Sequence, residues 1–150
     1  MSQQFFELRS PRDMLEKAQR ELERMTTHFD TDSLFNFFVT AYHVMDYVKA
    51  CGRVGSVAID AMYADPDFEL CLFLSNKGKH IQLKKYVDKA EPYEAKHKRA
   101  ALYGAVSYRE ATYRQAETYV ILDGSTQIEP LALAQRLIAK WETFLTDNGL

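Results

Sequence analysis

Cysteine is scarce in this chain of 150 residues: Cys51 and Cys71 are the only two, and neither belongs to a Cys-x-x-Cys pair. That excludes a disulfide scaffold and leaves no cysteine-based zinc spacing. Both lie among apolar neighbours and are expected as free structural thiols in a reducing cytosol. Glycine (6) and proline (4) are also few, which excludes collagen-like and low-complexity character. No window approaches the ~18 uninterrupted apolar residues of a membrane span, so no membrane association is expected. The start, Met-Ser-Gln-Gln-Phe-Phe-Glu-Leu-Arg, has no basic stretch leading into an apolar one. No signal peptide is expected, and the expected location is cytoplasmic. Charge of one sign is missing as well: 19 basic against 21 acidic side chains leave a net −2.

What is present is a core-forming chain. Hydrophobic residues make up 47% of it, enough to bury a core and to exclude disorder as its main character. The length suits a single domain, residues 1–150. Ser10-Pro11-Arg12-Asp13 is a helix start, with a capping hydroxyl, a proline suited to the first turn and an acid at the positive end of the dipole. Met14, Leu15, Ala18, Leu22 and Met25 then recur at helical spacing, which predicts a helix to about Thr27. Asp30-Thr31-Asp32 opens a second predicted helix, with Asp32 or Thr31 as its cap, and Gly52 ends it just after Cys51. It is apolar nearly all round, so it should be the central, buried one, with His43 and Asp46 as its only strongly polar interior side chains. Residues 53–64 read as a short helix or turn. Asp65-Pro66 opens a further helix through Phe68 to Leu74.

Ile81 and Leu83 alternate with polar residues and suggest extended chain, and residues 84–100 read as a basic loop excursion. The tyrosine-rich stretch 101–114 favours a strand. Thr118–Leu122, a turn at Asp123-Gly124-Ser125-Thr126, and Gln127-Ile128-Glu129 read as a hairpin. Pro130 starts the last helix, whose buried stripe runs from Leu131 to Leu145. The fold class expected is mainly α: a four-helix-bundle-like core with a small antiparallel β-hairpin or three-stranded sheet before the C-terminal helix.

Two features carry the functional expectation. Asn76, Lys79 and His80 follow directly on a run of pure hydrophobes, three and four positions apart. If the helix persists that far, they share a face. Two buried helices usually pack together, so this group could meet His43 and Asp46. One outcome would be a small catalytic site in which histidine moves a proton, lysine steadies a developing negative charge and asparagine orients the substrate. The other would be a hydrogen-bond network that satisfies helix ends, with His43 paired to Asp46 and Asn76 capping carbonyls. His43, Asp46 and His80 lack any recognised metal-ligand spacing, so neither metal nor cofactor is expected.

The second feature is charge asymmetry. Residues 77–99 hold eight basic residues, Lys77, Lys79, Lys84, Lys85, Lys89, Lys96, Lys98 and Arg99, against three acids, so this stretch carries +5 and the remainder −7. His80, Tyr86, Tyr93 and His97 are interleaved. Lys77, Lys84, Lys85, Lys96, Lys98 and Arg99 are the candidate nucleic-acid contacts, able to meet phosphates while the aromatics stack on bases. A solvated loop kept soluble by lysines is the alternative. Lysine dominates over arginine, which argues for backbone contact rather than base reading.

The stretch Phe35-Asn36-Phe37-Phe38-Val39-Thr40-Ala41-Tyr42-His43-Val44-Met45-Asp46-Tyr47 resembles a family of uncharacterised bacterial and phage proteins. Those share an Asn-Phe-Phe-Val-Thr-Ala-aromatic-His-x-x-Asp-aromatic signature and an Asn-x-x-Lys-His motif, matched here by Asn76, Lys79 and His80. The final stretch, Ile138 through Trp141-Glu142 and Phe144 to Leu150, is similar as well. More distantly, the layout resembles the HEPN superfamily of helical bundles. That resemblance implies a metal-independent ribonuclease acting across a dimer, with His80 as the catalytic histidine, Asn76 as its polar partner and His43 with Asp46 supporting it. The chain departs from the HEPN motif where Leu72-Phe73-Leu74 precede Ser75-Asn76: no arginine stands there, so charge on a phosphate would fall to Lys77 or Lys79. HEPN-like members without catalysis serve as binding partners. The expectation is therefore a non-catalytic helical binding module contacting RNA or protein and self-associating as a homodimer, with a degenerate ribonuclease as the alternative.

Overall fold

A computed structural model describes the backbone of residues 7–79, 93–99, 117–123 and 126–150, and the side chains of 7–30, 32–76 and 128–150. The described chain is mainly helical. Its helices are α1 (Pro11–Thr27), α2 (Thr31–Cys51), α3 (Ser56–Tyr63), α4 (Pro66–Lys79) and α5 (Pro130–Asp147).

Each start is fixed by local chemistry. The Asp13 backbone N–H donates to Ser10 Oγ at 3.1 Å, and the Ser10 N–H donates back to Asp13 Oδ2 at 2.8 Å, a reciprocal cap ahead of Pro11. α2 is capped one residue earlier than its sequence suggests: Asp30 accepts from the Ser33 N–H at 2.7 Å, and Ser33 Oγ accepts from the Asp30 N–H at 3.1 Å. Thr31 and Asp32 were also within reach of that turn, and Asp30 prevails because it closes a reciprocal box with Ser33. Gly52 ends α2 at φ 64°, a left-handed conformation that costs glycine little. Asp65 caps α4 through the N–H groups of Asp67 and Phe68, and Glu129 caps α5 through those of Leu131 and Ala132.

Neighbouring long helices run antiparallel. Lys17 of α1 reaches Thr40 of α2; Asp65 and Asp67 at the start of α4 meet Lys140 and Arg136 of α5. Arg12 and Gln19 of α1 both reach Glu142 of α5. Between α2 and α4, the Cys71 thiol donates to the Phe38 carbonyl at 3.5 Å, and the Tyr42 and Phe68 rings lie 5.9 Å apart. As α2 advances from 38 to 42, its α4 partner retreats from 71 to 68.

The core divides into two clusters. One gathers Met25, Leu34, Phe37, Phe38, Cys71 and Leu137; the other gathers Leu15, Met45, Val48, Phe68, Trp141 and Leu145. α2 contributes to both and touches α1, α4 and α5, so its expected central position is found. It is not buried all round: Phe35 stays 40% exposed, and Asp46 lies outside rather than in the interior.

Three strands, β1 (Tyr93–Arg99), β2 (Glu117–Asp123) and β3 (Thr126–Ile128), pair antiparallel in the order β1-β2-β3. Tyr93–Arg99 falls within the stretch expected to be loop. Its pairing partners lie 18 to 30 residues on, which local composition does not reveal. The expected turn at Gly124-Ser125, the extended chain at Ile81 and Leu83, the rest of the expected loop and the expected strand over 101–114 lie outside the described residues.

Candidate functional site

His43 is the best-defined candidate. It sits half-buried on α2, one turn after Val39, with its Nδ1–H donating to the Val39 carbonyl at 2.5 Å. That bond fixes the tautomer and leaves Nε2 as the basic nitrogen. Asp46, one turn on, presents Oδ2 at 3.7 Å from Nε2. The Tyr42 ring stands edge-on to the imidazole, 5.6 Å between centroids.

The second group does not join it. α4 runs antiparallel to α2, and the Tyr42–Phe68 contact puts His43 level with Phe68. Asn76 lies eight positions beyond, about 12 Å along the axis at 1.5 Å per residue, and Lys79 about 16 Å. The expected meeting of His43 and Asp46 with Asn76 is therefore not found. Both helices are buried and in contact, but their direction carries the polar groups to different ends. α4 does persist through Lys79, which keeps Asn76 and Lys79 three apart on one helix. Lys77 occupies the same last turn. Lys96, Lys98 and Arg99 are positions of β1. His80, Lys84 and Lys85 lie outside the described residues.

Beside Asn76, Ser75 is fully buried, and its hydroxyl is the buried side-chain polar atom without a hydrogen-bond partner among the described residues. It lies four residues from Cys71, on the face α4 turns to α2. Cys71 itself is no nucleophile. Burial pushes its thiol well above the ordinary range, so it stays protonated at neutral pH. No three His, Cys, Asp or Glu side chains among the described residues stand close enough to hold a metal ion.

Sequence reasoning missed two charge networks. Arg136 grips Asp67 with Nε and one terminal nitrogen, both at 3.0 Å, while Lys140 meets Asp65 at 2.7 Å and Asp67 at 2.8 Å. The Arg136 hydrogen bonds hold the Asp67 carboxyl down at about 2, against the opposing effect of burial. Burial alone would lower the Lys140 pKa; its bonds to Asp65 and Asp67 raise it instead. The signal available was the i, i+4 spacing of Arg136 and Lys140 opposite an acid-rich helix start. The second network is Glu21, almost wholly buried on α1, whose Oε1 accepts from Lys17 at 3.2 Å and Arg24 at 2.7 Å. Lys17 also donates to the buried Thr40 hydroxyl at 2.9 Å, tying α1 to α2.

No described helix is long and apolar enough to cross a membrane. Set against known proteins, the chain matches no family model, no curated protein and no solved structure.

Proposed function

We propose that this chain is a non-catalytic helical interaction module, a four-helix-bundle-like, HEPN-like core with a small antiparallel sheet, that contacts RNA through its basic stretch. The observation that supports this reading most is the distribution of charge. In the helical body, Arg12, Lys17, Arg24, Arg136 and Lys140 are committed to ion pairs with acids of the same body. The net positive charge sits in residues 77–99, at +5, and α4 leads directly into it. The separation of His43 from Asn76 weighs in the same direction, since it leaves the two candidate groups acting apart.

The test is fluorescence anisotropy of the full chain on single-stranded RNA across a salt series. Replacing Lys84, Lys85, Lys96 and Lys98 together by alanine should weaken binding and flatten the log K against log salt slope by about 3, at about 0.7 per lost phosphate contact. Unchanged affinity and slope reject the reading.

A ribonuclease is the second reading, favoured by the persistence of α4 through Lys79, which keeps Asn76 and Lys79 on one helical stretch. His80 would act as acid or base, with Lys79 at the phosphate. Cleavage of RNA that survives chelator and disappears in His80→Ala supports it; no cleavage by the parent protein removes it. Self-association belongs to either reading. Phe35 is 40% exposed on the central helix α2 whereas Phe38 is buried, so Phe35→Asp is the variant that should dissociate a homodimer in light scattering.

A further inference from the structure

Between the C-terminal half of α1 and the first turns of α2 lies a cleft of about 560 Å³. Its walls include Arg20, Glu21, Arg24, His28, Ser33 and Asn36. The volume falls within the range of small-ligand sites.

What distinguishes the cleft is the state of its polar groups. Glu21 has 93% of its side chain buried, yet both its ion pairs end on Oε1. Its other oxygen, Oε2, accepts no hydrogen bond among the described residues, and it is not among the sealed-off polar atoms of the interior, so it keeps some exposure on a residue that lines the cleft. The Arg20 guanidinium, four residues ahead of Arg24 on the same wall, makes no hydrogen bond or ion pair among the described residues, and neither does the exposed Asn36 amide opposite. His28 and Asp30 at the rim are already paired at 3.0 Å. The cleft thus offers an unengaged acceptor at its floor and unengaged donors on its walls. An anion alone would meet Glu21; a cation alone would meet Arg20 and Arg24. One small molecule carrying both charges satisfies each side.

We propose that this cleft binds a small zwitterion with an ammonium and a carboxylate group, the chemistry of a free α-amino acid. The ammonium donates to Glu21 Oε2. The carboxylate accepts from Arg20 and from the Asn36 amide. The aliphatic stems of Arg20 and Arg24 cover the remainder of the ligand.

The test is two-dimensional NMR of the full chain titrated with each common L-amino acid to about 10 mM, beside methylammonium and acetate separately. At least one amino acid should give saturable shifts confined to α1 residues near Arg20 and α2 residues near Asn36, with affinity at least about tenfold above either half-molecule. Arg20→Ala should cost about tenfold, and Asn36→Trp, which fills the cleft from an exposed position, should abolish the shifts. Glu21→Gln removes the ammonium partner, but it also breaks the Lys17 and Arg24 pairs. The two surface variants therefore decide the matter if that one fails to fold. No saturable shift with any amino acid overturns the proposal, as does acetate binding as tightly as the whole molecule or Asn36→Trp leaving the titration unchanged.

Discussion

At one end of the bundle Trp141 stands edge-on between Phe68 and Phe144, its centroid 5.4 Å and 5.6 Å from theirs, and its Nε1–H donates to the Ala41 carbonyl at 2.9 Å. The Asp65–Asp67–Arg136–Lys140 network seals α4 to α5 on that side. Arg12 and Arg53 tie the last residues down through the Leu150 and Gly149 carbonyls. At the other end Phe37 and Phe38 pack at 5.2 Å, but the polar groups are incompletely matched. Among the described residues Ser75 is buried without a partner and Glu21 has one oxygen unengaged, and the cleft opens beside Glu21. Every interior donor and acceptor satisfied makes for stability; groups left over make for recognition. The closed end reads as the anchor of the fold and the open end as the part with something left to bind.

The strongest way to break this contrast is to hollow out the closed end. Trp141→Ala removes the largest fully buried side chain and the indole hydrogen bond to the Ala41 carbonyl. It should cost about 3–5 kcal/mol, read as a lowered denaturant midpoint. Phe35→Ala, at a position 40% exposed, should cost less than about 1 kcal/mol. If the two variants lose similar stability, the anchor is not where the packing puts it.

The electrostatic part of the closed end is tested by pH. The Asp67 carboxyl is depressed from its ordinary 3.8 to about 2, chiefly by the Arg136 hydrogen bonds. A group depressed on folding adds stability that is complete above its unfolded value and lost as pH falls through its folded one. The shift corresponds to about 2 kcal/mol at most, and about 1 kcal/mol is the better expectation, because Arg136 is half exposed and screened. Asp67→Asn should therefore be less stable than the parent near neutral pH. The gap should narrow between about pH 4 and 2 and vanish below. A gap independent of pH would mean that Asp67 acts through packing alone.

How much of this was legible beforehand follows the range of the interaction. Ser10-Pro11 and Asp65-Pro66 mark helix starts because a cap acts over three residues, and Pro130 marks another, although its cap Glu129 reads as the end of a strand. The stripe from Leu131 to Leu145 marks the buried face of α5 because burial repeats every turn. The grip of Arg136 on Asp67 spans 69 residues, and the i, i+4 spacing of Arg136 and Lys140 marks a basic face without naming its partner. The distance between His43 and Asn76 has no local trace. Each looked like half of a site because each interrupts an apolar helix, and only the antiparallel sense of α2 and α4 separates them by about 12 Å. The cleft was illegible for a related reason, since Glu21 reads as one more acid on the wet face of α1 until the fold buries it.

The smallest predicted effect is the most discriminating, because its sign is opposite to that of most core substitutions. The Ser75 hydroxyl gave up its water on folding and gained no partner among the described residues, so it costs the native state free energy rather than contributing any. Ser75→Ala removes that cost and leaves a void of only one oxygen atom, in a helix where alanine is also the better former. The variant should be as stable as the parent or more stable, by up to about 1 kcal/mol, with a raised Tm. A loss of more than about 1 kcal/mol would show that Ser75 has a partner after all, and the open end would then be as fully matched as the closed one. A gain, together with weakened RNA binding, would mean that the chain keeps an unfavourable serine beside Asn76 for the sake of what binds there.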